Sequence, residues 1–175
     1  MSSHFFLATA VLMAGGLLGG PGPALANPDD GTMMPTCPRG QILDQRTLRC
    51  IAQSPGVVDD ASLVDYAAAL SREGRYDEAL TVLDLMQKPE TAEALNYRGY
   101  ATRQLGRIQE GIGYYLQSVA LDPDYTLVRE YLGEAFAIQG KLDLARQQLD
   151  EIEKRCGTGC EPYRDLAEAI TAADI

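Results

Sequence analysis

The sequence predicts an all-α chain of antiparallel helical hairpins stacked side by side as a short solenoid, preceded by a small cysteine-bridged segment. Three observations lead there. A glycine-centred pattern recurs: YLGEAFAIQGKLDLA at 131–145 matches YRGYATRQLGRIQEG at 97–111 and, less closely, YAAALSREGRYDEAL at 66–80. The central glycines, Gly74, Gly106 and Gly140, stand 32 and 34 residues apart, a period that marks arrays of two-helix units. Between them apolar residues alternate steps of three and four, as at Ile108, Ile112, Tyr115 and Val119 and at Leu142, Ala145, Leu149 and Ile152. That spacing puts each set on one stripe of a helix.

Taken in chain order, residues 1–26 contain no Asp, Glu, Lys or Arg, run apolar from Phe5 to Leu18, and end Ala24-Leu25-Ala26 before Asn27. This is the layout of a secretion signal with a small-residue cleavage site. A bilayer-spanning helix needs about 20 apolar residues, so export with removal is favoured over a retained anchor, leaving no membrane insertion. Residues 27–175 then carry the whole net charge of -10, which disfavours nucleic acid and anionic membrane surfaces as partners. Removal also takes away His4, the only histidine. His-dependent catalytic triads and His-based metal sites are thereby excluded.

Residues 27–58 read as a linker holding a hairpin. The cysteines form two local pairs, Cys37 with Cys50 and Cys156 with Cys160, and an even count in an exported chain reads as disulfides. Other connectivities are disfavoured because each local pair is already close along the chain, and a four-cysteine zinc site and a redox role for CGTGC at 156–160 because these spacings lack the CxxC unit. CPRGQILDQRTLRC, 37–50, suggests a hairpin turning near Asp44-Gln45 around the apolar pair Ile42 and Leu43. It reads as an N-terminal staple or cap. Its Cys-Pro-x-Gly start also resembles half of a peritrophin-type glycan-binding module, which would make the hairpin a peptidoglycan or glycan contact with the repeats as a spacer.

Three hairpins follow, at about 60–90, 91–123 and 124–155. The second carries Leu95, Gly99, Gly106, Ile108, Gly111, Tyr115 and Pro123, and the third Leu132, Gly133, Phe136, Gly140, Leu142, Ala145, Leu149 and Ile152. The first carries Leu63, Ala67, Leu70, Gly74, Tyr76, Ala79 and Leu83. On these residues 60–155 resemble a three-unit tetratricopeptide repeat array. Small residues at Ala79, Gly111 and Ala145 are expected where paired helices approach, and Asp122-Pro123 is expected to cap and start the next helix. A hairpin cannot cover its own apolar stripe, so the array needs a lid. EPYRDLAEAI, 161–170, supplies one: Tyr163, Leu166, Ala167 and Ile170 form one face of a capping helix after the Cys156–Cys160 turn.

The resemblance implies a concave groove lined by the first helix of each unit. Its positions here are Val64, Ala68 and Ser71, then Asn96, Tyr100 and Arg103, then Glu130, Glu134 and Ala137. Tyr97 and Tyr131, one position further along, either reach that surface or pack between helices. The function expected is that of an exported, non-catalytic scaffold in the cell envelope that binds a protein or peptide. With Arg103 beside Glu130 and Glu134, a neutral or basic segment suits the groove better than an acidic tail. An enzyme using Glu130 and Glu134 is the third reading, weakened because neither carboxylate has an evident reason to shift its pKa on an exposed face. Gly111-Ile112-Gly113 lacks the third glycine of a dinucleotide loop, and Asp150-Glu151-Ile152-Glu153 reads as a solvated face. No cofactor is implied. Oligomeric state is not legible.

Overall fold

The computed structural model describes residues 34–174, so the expected secretion signal lies outside the described residues. Strands β1 (Gln41–Asp44) and β2 (Arg49–Ala52) form an antiparallel hairpin, with Ile42 opposite Ile51 and Leu43 opposite Cys50. Seven helices follow: α1 (Asp60–Arg72), α2 (Tyr76–Leu83), α3 (Ala92–Gln104), α4 (Ile108–Leu121), α5 (Thr126–Ile138), α6 (Leu142–Cys156) and α7 (Glu161–Ala173).

The recurring glycine has one job in each hairpin. Gly74, Gly106 and Gly140 have φ of +74°, +84° and +70°, where a side chain would be strained. Each ends the first helix of a pair with the same two bonds. The Gly74 N–H donates to the Ser71 carbonyl and the Arg75 N–H to the Leu70 carbonyl; Gly106–Arg103 with Arg107–Thr102, and Gly140–Ala137 with Lys141–Phe136, repeat the arrangement. This is the Schellman termination, which satisfies otherwise orphaned carbonyls and turns the chain sharply. The next helix therefore folds back, pairing α1 with α2, α3 with α4 and α5 with α6.

Close pairing depends on small residues. Ala79 and Ala145 have no exposed surface. A Cβ on Gly111 would lie 2.8 Å from the Gly99 carbonyl oxygen, and one on Gly99 2.7 Å from the Tyr115 ring, so α3 and α4 meet backbone to backbone. Successive hairpins then join in chain order: α2 packs on α3, α4 on α5, and α7 on both α5 and α6.

Two apolar clusters hold this together. The first joins Ile42 and Leu43 of the strand hairpin to Leu63, Tyr66, Leu70, Val82 and Leu83. The second joins Ile112, Tyr115, Val128, Leu132, Ile152, Leu166 and Ile170. Each such leucine or isoleucine contributes about 1.5–3 kcal/mol relative to exposure. Disulfides connect Cys37 to Cys50 and Cys156 to Cys160, leaving no free cysteine and so no thiolates for a zinc site. Such bridges belong to an oxidising, non-cytoplasmic environment. Among the described residues, no helix is long and apolar enough to cross a membrane.

One expected helix start is corrected. Asp122-Pro123 does not open α5, which begins at Thr126. The Asp122 carboxylate instead accepts from the Asp124 N–H, making a turn, and the Arg129 guanidinium donates twice to the Pro123 carbonyl at 3.0 and 2.8 Å. The proline thus lies in the turn before α5, tied to the helix by the Arg129 side chain, instead of at its first position.

Candidate groove and its buried carboxyl

The first helices of the hairpins lie along one side. α1 touches α3, α3 touches α5 and α5 touches α7, while no comparable packing joins α2 to α4 or α4 to α6. Between them is a cavity of about 350 Å³. Ala68, Ser71 and Arg72 of α1 and Tyr97 and Tyr100 of α3 form one wall. Leu127, Glu130 and Tyr131 of α5 and Glu161, Pro162 and Asp165 of α7 form the other.

Of the residues expected from the sequence, Tyr97, Tyr100, Glu130 and Tyr131 meet at this cavity, with Ala68 and Ser71. The tyrosines do both jobs once posed as alternatives. Tyr97 packs against the first apolar cluster and Tyr131 against the second, and each keeps part of its surface on the cavity. Tyr100 lies between Tyr76 and Tyr131, with ring centroids 6.1 and 4.9 Å away. Burial raises the phenol pKa of Tyr97, Tyr100 and Tyr131, so all three stay neutral.

Three expectations are corrected. Asn96 is fully buried rather than in the groove, and its amide donates to the Tyr125 hydroxyl at 3.3 Å. Arg103 is not an open cation. Its side chain is 6% exposed, donates to Glu134 at 2.7 Å and lies 5.5 Å from the Tyr100 ring centroid. Together with Glu134 and Ala137 it borders a separate hollow against Ala169, Ala172 and Ala173 of α7. Glu130 is not on an exposed face. It is 5% exposed, and burial followed by the charges of Glu134, Asp165 and Glu161 pushes its carboxyl up to about 8.

Arg72, Leu127, Glu161 and Asp165 were missed. A signal for Asp165 existed in the period: Tyr97, Tyr131 and Asp165 are spaced by 34 residues, so α7 stands where the first helix of a fourth hairpin would. Reading it only as a lid hid its groove side.

At the other end, the strand hairpin turns its apolar residues inward. Ile42 and Leu43 are buried, the Tyr66 hydroxyl accepts from the Cys37 N–H at 2.7 Å, and Arg75 donates to the Cys37 carbonyl at 2.8 Å. Among the described residues, no group of His, Cys, Asp and Glu is placed to hold a metal ion. No family model matches the chain, and no curated protein matches its sequence.

Proposed function

We propose that the protein is an exported scaffold of the tetratricopeptide type, acting in the cell envelope, that binds a protein or peptide partner along the face formed by α1, α3, α5 and α7. The observation that carries this is the cavity to which all four helices contribute, walled by Tyr97, Tyr100 and Tyr131. Tyrosine offers a large contact area with few rotatable bonds, so little ordering entropy is lost on binding. The 32- and 34-residue glycine period and the chain-order packing of hairpins support the repeat assignment. The two disulfides support residence outside the cytoplasm. The role is binding, not turnover.

The test is site-specific photocrosslinking from three positions in cells that export the protein: Tyr97 in the groove, Leu116 on the far face of α4, and Arg39 on the strand hairpin. A partner captured from Tyr97 and not from Leu116 is expected. Capture from Arg39 alone would transfer the binding role to the hairpin, the glycan-contact geometry included.

A further inference from the structure

We propose that the cavity between α1, α3, α5 and α7 is a socket for one basic side chain of the partner, with an arginine guanidinium as its best occupant. This rests on the partner-binding reading above and adds the chemistry of recognition to it.

The geometry supplies an anionic, aromatic container. Three carboxylates, Glu130, Glu161 and Asp165, face the cavity, against one guanidinium, that of Arg72. The cation that most favours Glu130 ionisation, Arg103, is held by Glu134 at 2.7 Å. Two polar side chains at the cavity have no protein partner among the described residues. Ser71 is 3% exposed and its hydroxyl makes no hydrogen bond. Glu130 is 5% exposed, its carboxyl has no hydrogen bond among the causes that set its ionisation, and its oxygens keep their contact with the open cavity. Buried polar groups are ordinarily satisfied, so an unpaired Ser71 hydroxyl on the cavity that the Glu130 carboxyl also lines points to a polar group from outside. A guanidinium brings several donors in one plane, meets carboxylates two bonds at a time and stacks on aromatic rings; Tyr97, Tyr100 and Tyr131 provide such rings.

Recognition and protonation are then linked. The empty socket holds Glu130 largely protonated at neutral pH, because burial and neighbouring carboxylates oppose its charge. An entering cation reverses that balance, and the carboxyl releases its proton to solvent. The charged and titratable groups facing it are Glu134 and Tyr131 on α5, Glu161 and Asp165 on α7, Arg103, Tyr97 and Tyr100 on α3, and Arg72 on α1. The tyrosines are shifted upward by burial and do not ionise in this window.

The experiment titrates the purified protein with acetyl-Ala-Arg-Ala-amide, its lysine counterpart and its glutamine counterpart, following backbone amide shifts of α3, α5 and α7 by NMR. The arginine peptide is expected to bind with a Kd of about 1 mM, the lysine peptide more weakly, and the glutamine peptide without saturation. Because arginine does not titrate, its affinity should rise by up to about tenfold per pH unit from pH 6 to 8 and level off above. Glu130→Gln should weaken binding about tenfold and flatten the pH profile; Asp165→Asn should weaken it less. Asp143→Asn removes one negative charge from the surface of α6, where the side chain is 97% exposed, and should change nothing. Equal binding of the glutamine peptide, unchanged affinity in Glu130→Gln, or a pH profile that survives that substitution overturns the socket. If partner crosslinks at Tyr97 persist in any of those cases, partner binding stands and only the socket falls. Loss of both removes both.

Discussion

Glu78 and Glu130 are both largely withdrawn from solvent, yet the protein treats them in opposite ways. Glu78, 12% exposed, takes two bonds of 2.8 Å from Arg75, whose guanidinium also reaches Thr36 and the Cys37 carbonyl. Those bonds hold its carboxyl below the ordinary range. Glu130 is more deeply buried and has no cation to itself, and burial with the neighbouring carboxylates pushes its carboxyl up to about 8. At the N-terminal corner Arg75, with Glu73 and Glu78, closes the joint between the segment at Thr36 and Cys37 and the first helices. In the groove a carboxyl is left without a cation of its own. A sealed corner and an open groove are the arrangement that the proposed partner-binding role calls for, and the contrast gives three ways to probe it.

The largest effect is expected at the corner's covalent joint. Replacing Cys37 and Cys50 by alanine opens a bridge spanning 13 residues and should lower stability by about 3 kcal/mol. Cys37 is also 2% exposed and part of the first apolar cluster, so the loss should concentrate there. Hydrogen exchange would show α1 and α2 losing protection before α5 to α7. Uniform loss across all helices would mean the corner is not a separable joint.

The second effect has the opposite sign. Glu130 ionises less readily folded than unfolded, so its proton favours the fold below pH about 4.5, and that stability drains away as pH rises to about 8. Glu130→Gln, which cannot ionise, should gain on the order of 2–3 kcal/mol over the native protein at pH 8 and nothing near pH 4. Urea midpoints at the two pH values measure the difference. A gain that does not depend on pH would place Glu130 in ordinary water.

How much of this was legible depends on range along the chain. The glycine turns, the paired helices and the small residues at Ala79, Gly111 and Ala145 follow from spacings within about one repeat, and local spacing is what a sequence displays. The seven-helix result and the strand hairpin were accessible for the same reason. The state of Glu130 was not, because its neighbours Glu161 and Asp165 arrive on a helix about 30 residues later and their side is fixed only by how α7 packs. Asn96 and Arg103 misled for a related reason. Groove positions transferred from a repeat pattern assume an open face, whereas Tyr125 and Glu134 from the next hairpin cover these two. Arg75 and Tyr66 gave no signal as anchors, since their partners belong to the segment before α1.

The smallest of the three effects sharpens the comparison, because it applies the same substitution at the other site. Glu78→Gln removes a carboxylate already neutralised by Arg75, and it leaves that guanidinium, 20% exposed, with weaker acceptors. The folded carboxyl titrates below its unfolded value, so its contribution is present above pH about 4.5 and disappears as pH falls through the folded pKa. Glu78→Gln should therefore destabilise by about 1–2 kcal/mol at pH 7, where Glu130→Gln stabilises, and its deficit should shrink in acid rather than in base. Two glutamates changed alike, with opposite signs and opposite pH trends in the same urea assay, would separate a charge that closes the structure from a buried carboxyl left without a partner. Equal signs at pH 7 would mean that Glu130 already has its partner within the chain.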